Sequence, residues 1–273
     1  MSGKSNCLVR DTHFKIVNAG ELWQRENSLS SIPTFSQSLD RVLGNNGLST
    51  NTFMELLGLP GSGKTQLCLQ FCASVQIPET LGGLNAEALY IDTNTNFTIC
   101  RFKEILFASL DRCRKLLSMP LDFRENDALK KLHYVNAFGL TKFCAFLHRL
   151  PRFIVQHPRI KLIVIDSIAF PFKDGMDTRQ RTGLLFRLMA ELQQIAVEKQ
   201  IAVVLTNEMS TRLGLSSGSV VGSLGDAWAH RSNKRLLLCH TNGQRTALSL
   251  KDNSAVNAVG TFQITLEGIR DIN

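Results

Sequence analysis

Short apolar runs alternate along this chain with longer stretches in which apolar positions recur every three or four residues. The runs at 52–57, 88–92, 132–136, 162–166 and 201–206 are short and mostly apolar, and they predict strands of a sheet covered on both faces. The stretches between them predict helices over 65–74, 101–117, 141–155 and 182–199. In the last of these, Leu185, Leu188, Met189, Leu192, Ile195 and Ala196 form one stripe at helical spacing. Ahead of the first strand, residues 35–43 predict an amphipathic helix. It turns Phe35, Leu39, Val42 and Leu43 inward and stops at Gly44-Asn45-Asn46-Gly47. Residues 19–26 predict a short helix anchored by Leu22 and Trp23.

Strand alternating with helix implies an α/β fold with a mostly parallel central sheet flanked by helices. The pattern changes towards the C-terminus. Short runs at 235–240, 246–250 and 261–266, joined by turns such as Thr241-Asn242-Gly243, predict antiparallel hairpins at one sheet edge. The expected organisation is an N-terminal tail over 1–31 and one core over 32–273.

Composition narrows the class. A chain of 273 residues with 44% hydrophobic and 20% charged content fits one large, well-buried domain. No apolar run reaches the length of a membrane span, and the polar first thirteen residues carry no signal-peptide pattern. Of the seven cysteines, Cys68 and Cys72 lie four apart on one helix face and the rest stand alone, so reduced, mostly buried thiols are expected. The net charge of +8 favours a polyanionic partner such as nucleic acid, although charge alone does not single one out.

The chemistry is concentrated in Gly58-Leu59-Pro60-Gly61-Ser62-Gly63-Lys64-Thr65, a G-x-x-x-x-G-K-T loop between a predicted strand and a predicted helix. Glycines let backbone N–H groups converge on phosphate oxygens, and the helix N-terminus adds partial positive charge. Lys64 is placed for the β- and γ-phosphates of ATP and the Thr65 hydroxyl for Mg²⁺. Further on, the apolar run Leu162-Ile163-Val164-Ile165 ends in Asp166, a carboxylate at a strand's C-terminal end that suits a water on the same Mg²⁺.

These residues resemble a known family. Leu59 to Cys68, with its Lys64-Thr65-Gln66-Leu67, is similar to the P-loop of the RecA-like eukaryotic Rad recombinases and their paralogs. Tyr90-Ile91-Asp92-Thr93 is similar to the strand after the first core helix. Asp166-Ser167-Ile168-Ala169-Phe170-Pro171-Phe172, Gln76-Ile77-Pro78-Glu79 with Gly82-Gly83, Leu205-Thr206-Asn207 and the stretch from Leu224 to His230 most resemble the C-type branch. The resemblance runs from Ala19 onward and implies a RecA-like P-loop ATPase core. The family's helix-hairpin-helix N-terminal domain is expected to be absent, because only about thirty residues precede the core. The resemblance also implies that Arg101 packs on the adenine, with a solvated first-turn helix cation as the alternative, and that His230 reaches a neighbouring subunit's nucleotide, with a buried core histidine as the alternative. It implies that the segments after Phe172 and after Glu208 contact single-stranded DNA. Their candidate residues are Lys173, Arg179, Arg181 and Arg212, the alternative being solvated loops.

The chain departs from the family at two positions that bear on hydrolysis. Asn94 stands where the family has the glutamate that activates water, and Thr95 follows where the family has glycine. Asn94 can orient a water but cannot accept its proton. Glu208 stands where the family has the glutamine that senses the γ-phosphate, and a carboxylate there is repelled unless a cation intervenes. Glu87 and Asp92 are the neighbouring acids that offer an alternative base. Two functions follow. One is a nucleotide-dependent mediator of homologous recombination and double-strand break repair, mitotic or meiotic, nuclear, assembled with other paralogs on single-stranded DNA. The other is a DNA-stimulated ATPase with strand-exchange or remodelling activity. Asn94 and Glu208 favour the first.

Overall fold

A computed structural model of the chain describes residues 17–44, 46–118, 125–173, 177–211, 220–252 and 258–272. In chain order its elements are α1 (Ala19–Asn27), β1 (Ser31–Ile32), α2 (Gln37–Leu43), β2 (Leu48–Ser49), β3 (Phe53–Gly58), α3 (Lys64–Ser74) and β4 (Glu87–Asp92). Then come α4 (Ile99–Leu117), α5 (Glu125–Leu129), β5 (Leu132–Asn136), α6 (Leu140–Gln156), β6 (Ile160–Asp166), α7 (Thr178–Lys199) and β7 (Ala202–Thr211). The chain ends with β8 (Val220–Gly222), α8 (Asp226–Ala229), β9 (Lys234–Thr241), β10 (Gln244–Lys251), β11 (Val259–Thr265) and β12 (Gly268–Arg270).

The main sheet runs β12-β11-β10-β9-β3-β7-β6-β4-β5, with β8 pairing off β7. Pairs from β9 through β5 are parallel, and those from β9 outward to β12 are antiparallel. Side-chain alternation divides each central strand between two cores. Met54, Leu56, Ala88, Tyr90, Leu162, Val164, Ala202 and Val204 face one side, under α3 and α4. Phe53, Leu89, Ile91, Ile163, Ile165, Val203 and Leu205 face the other, under α6 and α7. Strands covered on both faces are apolar at most positions, which is why they read as apolar runs; Glu55 within β3 is a buried exception, and the edge strand β5 is only partly buried. α3 is buried at eight consecutive positions, Leu67 to Ser74, because it lies between the sheet and α4.

The six expected helices and the five strands expected in the parallel sheet all form within a few residues of their expected bounds, and the differences have local causes. Helix α2 begins at Gln37, not Phe35. Ser36 is its N-cap, and the Asp271 carboxylate accepts from Ser36 Oγ (2.6 Å), Gln37 N (2.9 Å) and Ser38 N (3.1 Å), fixing the start from the far end of the chain. Phe35 is left at positive φ, half-buried under the Arg270 guanidinium. Helix α1 forms but buries no residue. Leu22 and Trp23 are exposed, so they do not anchor it. Strand β7 continues past the expected 206 to Thr211 and returns antiparallel as β8, with Ser223 N donating to Glu208 O. Strand β9 joins the sheet parallel to β3 before the Asn242-Gly243 turn, both residues at positive φ, reverses the chain into β10. The six described cysteines are free. Cys68 and Cys72 are buried, Cys100 is exposed and the others are half-buried, so burial is less general than expected. No described helix is long and apolar enough to cross a membrane.

One buried charge fastens the parallel sheet to its C-terminal extension. Glu55 on β3 is fully buried and accepts from Asn207 Nδ2 (2.6 Å), Trp228 Nε1 (2.7 Å) and Arg235 Nε (2.7 Å). Glu55→Ala would leave three donors without a partner and Arg235 without its counter-charge. Breaking such a buried pair costs about 3–5 kcal/mol. The expected readout is a lowered midpoint of urea unfolding, and a midpoint equal to the parent's would contradict this role.

Candidate functional site

The C-terminal ends of β3, β6, β7 and β4 open onto one cavity of about 400 Å³. This is the end of an α/β sheet where ligands bind, because loops leave the strands there and helix N-termini point in. The loop from Gly58 to Thr65 forms one wall, with Pro60, Gly61, Gly63, Lys64 and Thr65 lining the space and Leu59 outside and exposed. Two glycines in it are required. A Cβ on Gly58 would sit 2.5 Å from Leu238 O and 2.5 Å from Ser62 Oγ. A Cβ on Gly63, at φ +110°, would meet Ile264 Cδ1 at 2.9 Å. The Ser62 hydroxyl is buried without a partner.

The chemical groups meet inside this cavity. Thr65 Oγ1 donates to Asp166 Oδ2 at 2.7 Å, although the two residues are 101 apart in sequence. Asp166 also accepts from Tyr90 OH (2.7 Å) and Thr206 Oγ1 (2.5 Å). The buried carboxylate is thus held by three neutral hydroxyls and keeps its charge available for a cation. Thr65 donates its hydroxyl hydrogen bond to Asp166, which leaves its oxygen lone pairs free for a metal. Burial and the adjacent Asp166 push the Tyr90 hydroxyl well above its usual range, so it stays a donor. Lys64 Nζ folds back onto Gly58 O (2.7 Å) and Leu59 O (3.1 Å). Burial lowers its pKa, while Asp166 and Glu208 oppose the shift. A half-buried ammonium satisfied only by loop carbonyls is suited to an anion, and the hydroxyl–carboxylate pair is suited to a hard divalent cation. The residues therefore fit a magnesium–nucleoside triphosphate.

Both departures from the family pattern line the cavity. The Asn94 Oδ1 atom is buried with no hydrogen-bond donor on it. Glu208 is paired with Lys173 at 2.7 Å, and Lys173 lies 5.0 Å from the Phe170 ring centroid. The cation needed beside that carboxylate is supplied by the segment after β6. The alternative bases are otherwise engaged. Asp92 accepts from the backbone N–H groups of Asn94, Asn96 and Phe97 and from Tyr134 OH, shaping the loop rather than facing the cavity. Glu87 sits at the opposite end of β4, bound to His133 and Arg159, too far along the strand to act here.

Other expected residues are placed less directly. Arg101 does not line the cavity. Its guanidinium donates to Gln66 Oε1 (2.8 Å), to the carbonyls of Thr265 and Leu266 (2.6 Å each) and to Glu104, bracing the wall through Gln66. His230 is exposed at the end of α8, which removes the buried core alternative. Arg179 is exposed and Arg181 half-buried at the start of α7. Arg212 lies outside the described residues. Sequence reasoning missed Arg245 on β10, which lines the cavity with a buried Nε that has no partner, and Ile264 on β11 beside it. Nothing local marked either residue, since only sheet order brings these strands over the P-loop. It also missed the hydroxyl of Tyr90, for which the signal was one polar tip inside an otherwise apolar strand.

Comparison with known proteins agrees with this geometry. Residues 24–272 match the profile of the Rad51 family. The DNA repair protein RAD51 homolog 3 of Cricetulus griseus is 32% identical over 281 aligned residues, covering 99% of this chain and 76% of the relative. Its Dictyostelium discoideum namesake is 30% identical over 260, covering 92% and 68%. The DNA repair and recombination protein RadA of Metallosphaera sedula is 32% identical over 267, covering 96% and 78%. A P-loop closed by Asp166 at the C-terminal ends of a parallel sheet, and a profile match over nearly the whole chain, lead to one conclusion: the chain belongs to the Rad51 family, among its recombinase paralogs of the RAD51 homolog 3 type.

Proposed function

We propose that this chain is an ATP-binding recombinase paralog of homologous recombination and DNA double-strand break repair, acting as a mediator within a paralog complex on single-stranded DNA. Residues 32–273 are its ATP-binding core, preceded by a tail over 1–31. The observation that carries the reading is the pairing of an intact Lys64–Thr65–Asp166 constellation with Asn94 at the water-activating position. Lys64 holds the β- and γ-phosphates, and Thr65 and Asp166 hold Mg²⁺, which supplies charge neutralisation when bound. Arg245 adds a second cation on the side of the C-terminal strands. Asn94 holds a water through its carbonyl oxygen without taking its proton. Nucleotide occupancy, more than turnover, is then the working state, with Arg101 and Gln66 shaping the base side and His230 directed to a neighbouring subunit. Lys173, Arg179, Arg181 and Arg212 supply the cations of the DNA-facing segments, by phosphate tracking. The names of the relatives, two DNA repair proteins and one DNA repair and recombination protein, support this role, and a nuclear location follows from it.

Three outcomes are expected. Lys64→Ala removes the charge-assisted bonds to the phosphates, worth about 1.5–3 kcal/mol. It should weaken binding of a non-hydrolysable ATP analogue with Mg²⁺ by about 10- to 100-fold in calorimetry. Unchanged affinity would refute the phosphate-binding role.

Lys173→Ala should also weaken analogue binding, because it leaves the Glu208 carboxylate uncompensated beside the triphosphate. Adding Glu208→Gln should restore it. If the double variant binds no better than Lys173→Ala, the pair does not act on the nucleotide.

A positioned base contributes about 10²–10⁴-fold to such reactions. The purified chain should therefore hydrolyse ATP slowly, with little stimulation by single-stranded DNA, and Asn94→Glu should raise turnover. Brisk, DNA-stimulated hydrolysis that Lys64→Ala abolishes would instead establish the ATPase reading.

A further inference from the structure

A second cluster of chemically capable side chains lies at the other end of the sheet. Glu87 begins β4, His133 is the second residue of β5, and His157 is the C-cap of α6. One ligand atom from each of the three lies within 4.8 Å of the others. His133 Nε2 already meets Glu87 Oε2 at 2.7 Å. The two imidazole rings approach to 4.5 Å between centroids, and Phe153 packs against both, at 5.6 Å from His133 and 4.4 Å from His157. Glu87 is buried and the histidines are half-buried. The backbone of His157 is fixed on both sides, its N–H on Phe153 O and Ile154 O and its carbonyl on Ile160 N. The nucleotide site uses none of these groups.

We propose that Glu87, His133 and His157 form a binding site for a divalent transition-metal ion of the zinc type. Two imidazole nitrogens and one carboxylate oxygen are a donor set for borderline ions, whereas Mg²⁺ and Ca²⁺ take oxygen alone. Zinc–nitrogen and zinc–oxygen bonds of about 2.0–2.2 Å put tetrahedral ligands about 3.4 Å apart. The cluster reaches that spacing by side-chain rotation of the two half-buried rings. The ion takes the place of the hydrogen bond between His133 Nε2 and Glu87 Oε2, and the neutral imidazole binds it through Nε2 with its one proton moved, by exchange with solvent, to Nδ1. Water completes the coordination. Arg159 is the competing cation: its Nη2 lies 2.6 Å from Glu87 Oε1. Its side chain is 66% exposed and holds the outer oxygen, so it can swing away from the carboxylate. A bound ion would clip the end of α6 to β4 and β5.

The test is a titration of the full chain, stripped of metal, kept reduced and held in excess Mg²⁺ with ATP to fill the nucleotide site, with Co²⁺ followed by absorption. The expected result is one equivalent bound without a thiolate-to-metal charge-transfer band, displaced by Zn²⁺. Losing even an outer partner of a metal ligand costs about 10–100-fold in affinity, so His157→Ala and Glu87→Gln should each weaken binding by at least about tenfold. Arg159→Ala should tighten it. Zn²⁺ should raise the thermal midpoint of the parent and leave that of His157→Ala, itself folded by circular dichroism, unmoved. Three results would each overturn the proposal: no saturable binding, a thiolate band that assigns the ion to cysteines, or affinity unchanged in both ligand variants.

Discussion

The working end of this molecule depends on how one buried carboxylate is satisfied. Asp166 ends β6 almost out of reach of solvent, and an isolated charge there would be costly. Its partners are the hydroxyls of Thr65, Tyr90 and Thr206, which come from α3, β4 and β7. Hydrogen bonds to a charged group are each worth about 1.5–3 kcal/mol, so the three together hold four elements in register around one point. Because the donors are neutral, they stabilise the carboxylate without cancelling it. An arginine or lysine in any of those places would have stabilised it equally well and left nothing for a metal.

The same separation of structural and ligand-directed charge recurs around the cavity. Glu55, one layer below, is spent on Asn207, Trp228 and Arg235, and so ties the P-loop strand to β7, α8 and β9. Asp92 is spent on backbone N–H groups, and Asp271 on the first turn of α2. Arg245 Nε and Asn94 Oδ1 are left without partners in the cavity, and Lys64 is held there by loop carbonyls alone. The Lys173–Glu208 pair sits between these classes. It compensates a carboxylate at the cavity edge with a cation from the segment after β6, so charge at the cavity and the conformation of that segment are linked by one 2.7 Å contact.

The C-terminal strands belong to the site as well as to the sheet. β10 and β11 bring Arg245 and Ile264 against the P-loop, and the carbonyls at the end of β11, Thr265 O and Leu266 O, hold Arg101. The P-loop side of the cavity is therefore built from the centre of the sheet, and its closing wall from the last thirty residues of the chain.

Much of this was legible in the sequence. Mostly apolar runs marked β3 to β7, most clearly where burial on both faces favours apolar residues at nearly every position and least at the edge strand β5. The stripe from Leu185 to Ala196 gave α7, and Gly58 to Thr65 named its own ligand because few other functions need glycines and a lysine at that spacing. Asn94 and Glu208 stood out against the family pattern before any geometry was known. Helix starts were less legible where a distant residue sets them, as Asp271 does for α2. Leu22 and Trp23 looked like anchors because apolarity signals a wish for burial without naming a surface. What only the tertiary structure decided was which polar groups meet: Thr65 with Asp166, Lys173 with Glu208, Arg101 with Thr265, Glu87 with His133 and His157. Periodicity and propensity act within a few residues. Contacts across a hundred or more are set by the order of strands in the sheet, which the chain encodes only through the energy of the whole packed fold.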